Sequence, residues 1–422
     1  MRNIIDNIPL GPAAPVGEIL LAETAIRIEL PPSLHRLAIE RFSAIQKYVE
    51  RQDSPLCNRV RLFYPQGSMA IRATIKSRKR GDGFDIDIVA ELILSASMAP
   101  DDVLDLLFQA INGEEGALYY GKVERNSRCV TVCYEDGMHL DVTPSILVDE
   151  RDPRRSIIFH AKAEESATKH RRLLMNSYAF VEWFNARTPI DLSFAEQYAK
   201  RALAFDEKFI RKDAAVKPVP AHSTTEGGKS AAVVAMQLLK RNRNLKYARR
   251  RGARMPPSVM IAAFTGEQAV PNSSISRALD AISGRMLAAL EQAQAEGRRI
   301  DVRNPMCLDD RFTDRWPEDL AAQDVYIQDL QTFHSQLASL LSEELPLDKK
   351  RNLLIVMFGE GPARDVIQDY AAVLGKSVRD GSRRIAPSGR VLPASVAARA
   401  IVTPAAAQPR GHTFYGSRWR AK

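Results

Sequence analysis

The stretch Phe84-Asp85-Ile86-Asp87-Ile88-Val89 is the most informative part of the chain, because it sets two carboxylates two positions apart in an otherwise apolar run. Alternate residues of a β-strand point to the same side, so Asp85 and Asp87 are predicted to project side by side from a strand. A buried carboxylate without a partner is strongly unfavourable, so we expect a cation beside this pair. The stretch therefore predicts a strand that carries a cation-binding site.

A third carboxylate follows in a second predicted strand. Residues Cys129 to Tyr134 are typical of a strand, Asp136-Gly137 is typical of a tight hairpin turn, and Met138 to Thr143 is the predicted returning strand. Asp141 falls in the middle of that returning strand, so it can approach the first two carboxylates if the strands are neighbours. Taken alone, each Asp is more simply an ordinary polar residue of a half-buried strand.

A Gly-Ser dipeptide, Gly67-Ser68, precedes the first strand. The order Gly-Ser, Asp-x-Asp, Asp favours a metal site over a set of unrelated surface residues. Clusters of oxygen ligands suit Mg²⁺, which takes a few carboxylates and leaves its other positions to water and substrate phosphates. Together these residues predict a two-metal site for phosphoryl transfer.

The same order of motifs resembles the signature of the DNA polymerase beta-type nucleotidyltransferase superfamily. Within it, the chain is most similar to the bacterial cGAS/DncV-like nucleotidyltransferases (CD-NTases), the relatives of cyclic GMP-AMP synthase and oligoadenylate synthase. The resemblance spans roughly residues 20 to 375, and it departs from the family at a Lys- and Arg-rich insert from Ile75 to Gly83. Other segments similar to this family are Gln237–Arg243, Pro257–Ile261, Asn304-Pro305, Arg315–Pro317 and Phe358–Glu360.

The resemblance implies an α+β fold. A polymerase beta-like nucleotidyltransferase sheet lobe would pack against an oligoadenylate-synthase-like helical lobe, with the active site in the cleft between them. Residues 1–160 would form the catalytic lobe from an N-terminal helix and a mixed sheet, and residues 161–375 would form the helical lobe. Residues 376–422 would form a basic, flexible C-terminal tail.

The resemblance also implies the metal ligands. Asp85 and Asp87 would bridge two Mg²⁺ ions, or two Mn²⁺ ions, and Asp141 would bind the ion that activates the attacking hydroxyl group. Asp141 could also accept the proton of that hydroxyl. Nucleotidyl transfer asks for little covalent chemistry from the protein, because positioning and charge stabilisation dominate.

Four residues are candidates for binding the nucleotide. Gly67 would let the backbone pass close to the phosphates, and Ser68 would bond to their oxygens through its hydroxyl and amide. By resemblance, Lys240 and Ser258 would clamp the terminal phosphates from the helical lobe. As alternatives, Lys240 is one of many surface bases, and Ser258 is an ordinary first residue of a helix, where an anion is also favourable.

The resemblance implies an Mg²⁺-dependent nucleotidyltransferase that joins NTPs, ATP among them, into a cyclic di- or trinucleotide second messenger for bacterial antiphage (CBASS) signalling. Without the resemblance, the residues indicate only metal-dependent nucleotidyl transfer. Linear oligoadenylate synthesis, RNA tailing and transfer of a nucleotide onto a protein are alternatives. A non-catalytic nucleic-acid or NTP sensor is disfavoured, because the three carboxylates are all present. Base choice, ring size and linkage are not readable from the motifs.

Apolar periodicity predicts the helices around this site. Residues 1–30 are predicted to be a mixed leader, followed by a helix that Ser33 caps and that runs to about Val49. A helix is predicted from Asp101 to Ile111, and from about Glu164 onward the periodicity is again helical. Further helices are predicted at 229–248, 257–265, 272–296, 320–344 and 361–375.

Composition sets wider limits on the protein. A chain of 422 residues, 45% hydrophobic and 26% charged, is typical of an ordinary soluble protein with two packed lobes. No apolar run approaches the ~20 residues of a membrane span, and the first residues lack the apolar core of a signal peptide. We therefore expect a cytoplasmic protein without a membrane partner. The four cysteines give no disulfide framework.

The net charge of +9 raises the question of a polyanionic partner. Residues 227–266 contain nine Lys and Arg and no acidic residue. Nucleotide binding accounts for part of this run, and nucleic-acid contact is an alternative. From Lys376 onward the tail holds ten Lys and Arg against one acidic residue. Its aromatic segment, His412 to Gly416, either docks onto the body or is a recognition tag for a companion protein, and docking is slightly favoured.

Overall fold

The structure is a computed structural model, and it describes residues 10, 14–75, 85–149, 154–162, 164–212, 228–381, 383–385 and 391–393. Only the backbone is described for residues 206–212, 383–385 and 391–393, and the side chain of residue 32 is likewise left out. Most of the Lys- and Arg-rich insert and the aromatic segment of the tail lie outside the described residues. The chain divides into two compact units, residues 1–366 and 367–422. The predicted boundaries at 160 and 375 stay predictions.

The larger unit, residues 1–366, contains a mixed β-sheet that carries the predicted carboxylates. Within the described residues this sheet has seven strands. They are β1 Val60–Pro65, β2 Asp85–Leu92, β3 Val123–Arg125, β4 Val130–Cys133, β5 His139–Leu147, β6 Ser156–His160 and β7 Arg171–Met175. The strand order is β1-β2-β5-β4-β3, with β6 beside β5 and β7 beside β6. Strands β2 and β5 are parallel, and the other neighbouring pairs are antiparallel.

One face of the sheet is apolar and packs against two helices, α2 Pro32–Val49 and α4 Pro100–Asn112. The alternate residues of β2 that enter this core are Ile86, Ile88, Ala90 and Leu92. Burying one Ile side chain contributes roughly 1.5–3 kcal/mol, so a one-residue slip that exposed this set would be strongly disfavoured. Asp85 and Asp87 alternate with these residues along the strand, and they therefore face the opposite side of the sheet.

Helices make up most of the rest of the described chain. They are α1 Val16–Ile28, α3 Gly67–Ala70, α5 Ser177–Arg187, α6 Leu192–Lys212, α7 Ala231–Tyr247, α8 Ser258–Gln268, α9 Ile275–Ala295, α10 Leu320–Leu341, α11 Leu347–Phe358 and α12 Glu360–Arg379. A small antiparallel hairpin joins β8 Arg303–Asn304 to β9 Cys307–Arg311. The five helices predicted between residues 229 and 375 are confirmed as α7, α8, α9, α10 and α12. Among the described residues, no helix is both long enough and apolar enough to cross a membrane.

The structure corrects the sequence analysis at four elements. Ser33, predicted to cap the helix after the leader, lies inside α2, which begins at Pro32 and has no side-chain cap. Residues 171–175, predicted to be helical, form β7, because Leu173 and Leu174 pair with Ile158 and Ile157 of the neighbouring strand. The helix α5 begins only after Asn176. The side chain of Asn176 caps this helix, because its Oδ1 accepts a hydrogen bond from the amide of Ala179 at 3.0 Å. The predicted leader contains α1, and α11 was not predicted.

Helix α7 is buried along most of its length, including basic residues that a charge pattern places at the surface. Nε of Arg241 donates to the carbonyl of Phe358 at 3.0 Å, and Nη1 of Arg243 donates to the carbonyl of Pro256 at 2.7 Å. Buried carbonyls need donors, and these guanidinium groups supply them. This part of the basic run therefore holds the helices together and is not available to a nucleic acid.

In the second unit, residues 367–422, the structure describes the remainder of α12 and a short hairpin. The hairpin consists of two antiparallel strands, β10 Arg383–Ile385 and β11 Val391–Pro393. The first residues of the predicted flexible tail, 376–379, continue α12. Where the tail is described, it therefore consists of helix, turn and strand.

Candidate active site

The three predicted carboxylates lie on one face of two neighbouring strands. In the parallel pairing of β2 with β5, Asp87 is opposite Asp141 and Asp85 is opposite His139. Oδ1 of Asp85 lies 3.6 Å from Nδ1 of His139. The structure thus brings together the three carboxylates that the sequence analysis grouped, and the parallel register is what joins them.

The negative charges of this group are unfavourable as they stand. Burial, together with the charges of Asp141 and Asp85, raises the pKa of Asp87 to about 7, while Lys240 acts in the opposite direction. Burial also raises the pKa of Asp141, against a hydrogen bond donated by the Thr131 hydroxyl. A carboxylate that is desolvated beside like charges is stabilised by a nearby cation. The electrostatics therefore favour a bound cation at this face.

The donor set fits Mg²⁺, because carboxylate oxygens are the ligands that this ion takes. Among the described residues, however, no three His, Cys, Asp or Glu side chains converge closely enough to hold an ion. Oδ1 of Asp141 is instead hydrogen-bonded to the hydroxyl of Thr131. The metal assignment therefore stays a prediction.

The Gly-Ser turn lies directly beside the carboxylate strand. Gly67 has φ of +61°, and a Cβ atom at this position would lie 2.2 Å from Oδ2 of Asp87. The backbone amide of Gln66 donates to the carbonyl of Asp87 at 2.8 Å. Gly67 was predicted to let the backbone approach the phosphates, and in the structure its missing side chain also makes room for Asp87. The turn and the strand are therefore fixed relative to each other.

Lys240 reaches this region from α7. Its side chain is buried, and Nζ donates to the carbonyl of Ala73 at 2.8 Å. Burial and the charge of Arg243 lower the pKa of Lys240 to about 7, and Asp87 opposes that shift. A buried ammonium group with a lowered pKa is stabilised by a nearby anion. The structure thus rejects the alternative that Lys240 is an exposed surface base.

Ser258 is the first residue of α8, as predicted. Its hydroxyl accepts a hydrogen bond from Nη2 of Arg243 at 2.9 Å. Arg243 was not predicted as a site residue, although it falls within a segment that resembles the family. Ser258 and Arg243 together present a hydroxyl and a cation at the start of a helix, where backbone amides also favour an anion.

These groups line one cavity of about 730 Å³. Its walls include Gly67, Ser68, Asp85, Asp87, Lys240, Arg243 and Ser258. Asp141 is not part of this lining, although it lies opposite Asp87 on the neighbouring strand. Ligand sites commonly have volumes of about 300–1,000 Å³, so the cavity is large enough for a nucleoside triphosphate.

The cavity has a further set of lining residues that sequence reasoning missed. Asp310, on β9, is one of them, and its Oδ2 accepts hydrogen bonds from Nδ2 of Asn304 at 2.9 Å and the amide of Asn176 at 3.3 Å. Phe180 and Phe312 also line the cavity, with ring centroids 5.0 Å apart. The sequence signals near Asp310 were the similarities of Asn304-Pro305 and Arg315–Pro317 to the family. No local pattern connects this hairpin with the distant carboxylate strands.

Similarity to known proteins agrees with this geometry. No protein-family model matches the chain. The chain is 37% identical over 424 aligned positions to the cyclic dinucleotide synthase CdnG of Bradyrhizobium diazoefficiens, and the match covers 98% of each chain. The chain belongs to the CD-NTase family. It is therefore an enzyme, a nucleotidyltransferase of the class that makes cyclic oligonucleotides.

A second relative and two solved structures are also similar to this chain. A c-di-GMP synthase of Roseivirga ehrenbergii is 22% identical, over 94% of this chain and 97% of the relative. The solved structure of B. diazoefficiens CdnG in complex with GTP superposes with a TM-score of 0.71, at 35% identity, over 83% of this chain and 97% of that one. A complex of E. coli MS115-1 CdnC with HORMA-deltaN has a TM-score of 0.55 at 15% identity, over 82% and 97% of the two chains, which shows the fold alone.

Two of the sequence predictions are confirmed by these findings. The family is the CD-NTases, and the fold is a mixed α and β fold, with a β-sheet and many helices. The arrangement of two lobes around a cleft stays a prediction. The roles of the individual site residues also stay predictions, although the structure places all but one of them on the walls of one cavity.

Proposed function

We propose that the protein joins two nucleoside triphosphates into a cyclic dinucleotide in an Mg²⁺-dependent reaction and releases pyrophosphate at each of two steps. One observation carries the proposal: two strand carboxylates and the phosphate-binding candidates from the turn, from α7 and from α8 line the same cavity. The similarity to a cyclic dinucleotide synthase along almost the whole chain supports it.

In each step, a ribose hydroxyl oxygen of one nucleotide bonds to the α-phosphorus of the other, and the bond from that phosphorus to pyrophosphate breaks. Ser68, Lys240 and Ser258 would hold the triphosphate so that pyrophosphate leaves in line with the attacking oxygen. Asp85 and Asp87 would hold the metal ions, whose chemistry is to stabilise charge on the attacking and leaving oxygens. The proton of the attacking hydroxyl group would pass to the carboxylate of Asp141 on β5. The second step closes the ring.

We also propose that at least one of the two bases is guanine. The CdnG structure contains GTP, and in this chain the carboxylate of Asp310 and the rings of Phe180 and Phe312 line the same cavity. An ionised carboxylate only accepts hydrogen bonds. Guanine presents two adjacent donors, N1–H and N2–H, whereas adenine presents a donor beside an acceptor. ATP, predicted from the resemblance as a substrate, stays a prediction.

The cyclisation is tested with purified protein, Mg²⁺ and labelled NTPs in every pairwise combination, followed by phosphatase treatment of the products. We expect a phosphatase-resistant product that requires GTP and is absent with the double variant Asp85→Ala/Asp87→Ala. Products that lose all terminal label to phosphatase would instead identify a linear synthase. Products formed only when RNA is added would identify a tailing enzyme.

The choice of guanine is tested with inosine triphosphate, which lacks the 2-amino donor of GTP. We expect wild-type protein to prefer GTP by about tenfold in kcat/KM, because a carboxylate oxygen then loses one hydrogen bond. The variant Asp310→Asn should lose most of this preference. The matched control is Asp309→Asn, since Asp309 is exposed and pairs with Arg155 at 2.8 Å. An unchanged GTP preference in Asp310→Asn would refute the assignment.

We extend the proposal to antiphage (CBASS) signalling on the basis of family membership alone. The test is phage plating on bacteria that express the protein, with Asp85→Ala/Asp87→Ala as control. Equal plaque numbers for the two proteins would contradict a defence role. A companion protein that recognises the tail stays a prediction, and the tail's aromatic segment lies outside the described residues.

A further inference from the structure

The loop that follows the Gly-Ser turn is held by helix α7. Nζ of Lys240 donates to the carbonyl of Ala73 at 2.8 Å, and Nε2 of Gln237 donates to the next carbonyl, that of Thr74, also at 2.8 Å. The loop is tied to the turn itself, because the amide of Ala73 donates to the carbonyl of Ser68 at 2.9 Å. A displacement of the loop would therefore carry Ser68 with it.

The two donors on α7 differ in what else they do. Lys240 lines the cavity and is a candidate for binding phosphate oxygens, so a bound phosphate would share its ammonium group with the carbonyl of Ala73. Gln237 is fully buried, with 0% of its surface exposed, and it lies behind the cavity wall. Its amide therefore has no substrate to contact. Gln237 can hold the loop both before and after a nucleotide binds.

Gln237 is itself held at its second polar atom. Its Oε1 lies 3.4 Å from Nζ of Lys229, and that ammonium lies 2.5 Å from Oε1 of Glu29. The backbone of Glu29 forms a β-bridge with Ile75, the residue that follows Thr74 in the loop. These contacts close a ring from Glu29 through Lys229 and Gln237 to the loop and back. The orientation of the Gln237 amide is therefore fixed from both sides.

We propose that Gln237 is a positioning residue for nucleotide binding. It keeps the loop at the place where Ser68 and Lys240 reach the same triphosphate, and it retains the loop when Lys240 bonds to phosphate. The inference rests on the proposed function for its ligand, an NTP. In this role Gln237 touches no substrate and acts through the turn that carries Ser68.

A purely structural role is the competing explanation. The carbonyl of Thr74 belongs to a buried residue, and a buried carbonyl without a donor is unfavourable wherever it lies in the protein. Loss of stability alone cannot separate the two explanations. Distinguishing them requires a control residue on the same helix. The control must be a second buried side-chain amide that donates to a carbonyl away from the cavity.

Asn242 supplies this control. It lies on α7, it is buried, and its Nδ2 donates to the carbonyl of Met357 at 2.9 Å. The test compares Gln237→Leu with Asn242→Leu, since each leaves one buried carbonyl without its donor. A third variant, Gln237→Glu, keeps an oxygen for Lys229 but removes the donor to Thr74 when the carboxylate is ionised. The measurements are Tm, KM and kcat for NTPs, and amide hydrogen exchange of residues 66–75 in the absence of nucleotide.

We expect Gln237→Leu and Gln237→Glu to raise KM for NTPs by about tenfold, the size of one lost hydrogen bond. Both should speed amide exchange in residues 66–75. Asn242→Leu should lower Tm to a similar degree, while its KM and the exchange of the loop stay within about twofold of wild type.

The assignment would be overturned if all variants had the same KM. It would also be overturned if Asn242→Leu raised KM as much as Gln237→Leu does at a similar loss of Tm, because loss of stability would then explain both rises. Unchanged exchange of residues 66–75 in Gln237→Glu would overturn it as well. The exchange measurement needs no product, so it separates this inference from the proposed function. If wild-type protein binds NTPs but forms no cyclic product, the proposed function fails while the role of Gln237 is still tested.

Discussion

The substitution Gly67→Ala probes how closely the phosphate-binding turn is fitted to the carboxylate strand. Gly67 has φ of +61°, a conformation that L-residues other than Gly adopt at roughly 1–2 kcal/mol. The new Cβ atom would lie 2.2 Å from Oδ2, 2.9 Å from Cγ and 3.1 Å from Cβ of Asp87. Rotation of the Asp87 side chain cannot relieve all three contacts, because the Cβ atom of Asp87 is itself too close.

The size of the effect follows from these distances. The carboxylate oxygen lies 1.2 Å inside the 3.4 Å at which ordinary contact begins. Either the turn or Asp87 must therefore move by about 1 Å, and a displacement of that size at a reacting centre can lower a rate by about 100-fold. We expect kcat/KM of Gly67→Ala to fall by about this factor, while Tm falls by only a few degrees.

The matched control is Gly297→Ala, assayed for product formation and thermal unfolding beside Gly67→Ala. Gly297 has φ of +65°, and an added Cβ there meets nothing within 4 Å. It therefore has the same backbone strain without the contact to Asp87. Activity of Gly67→Ala within about threefold of Gly297→Ala would contradict this prediction, because it would mean that the position of Asp87 relative to the turn does not matter for catalysis.

Two further predictions concern the buried charges. Without divalent cations, wild-type stability should fall as the pH rises from 3.8 to about 7, because folded Asp87 binds its proton more tightly than the unfolded chain does. Asp87→Asn should flatten this fall in Tm measured in a chelating buffer, and parallel curves for the two proteins would contradict the prediction. Lys240→Met should raise KM for NTPs at least about tenfold, since a charged hydrogen bond to phosphate is lost. Lys350→Met, whose Nζ caps the carbonyl of Ser342 at 2.6 Å, should lower Tm without changing KM.

The carboxylate strands were predictable because their signal is local. In Asp85-Ile86-Asp87-Ile88 the apolar positions enter the core and the acidic positions face the other side, as a period of two requires. The hairpin around Asp136-Gly137 is equally local, and its strands appear as β4 and β5. Helices α7 and α8 begin within a few residues of their predicted starts, and the side chain of Ser230 caps α7.

The errors arose where a neighbouring element decided the outcome. Leu173 and Leu174 belong to an apolar pattern that continues into α5. They form a strand instead, because their backbone pairs with strand β6 at the edge of the sheet. The basic residues of α7 look like a solvated face in the sequence. In the structure Arg241 and Arg243 are buried, because α11 and the start of α8 supply carbonyls that need donors.

Local sequence patterns were sufficient to identify the three strand carboxylates, the Gly-Ser turn and the family that they resemble. Which of these groups meet depends on the packing of whole elements. Asp87 lies opposite Asp141 through the parallel register of β2 and β5. Gln237 and Lys240 reach a loop that is 163 and 167 residues away along the chain. Local periodicity fixes the side to which a residue points, but contacts across such separations depend on how whole elements pack, and no short pattern encodes that.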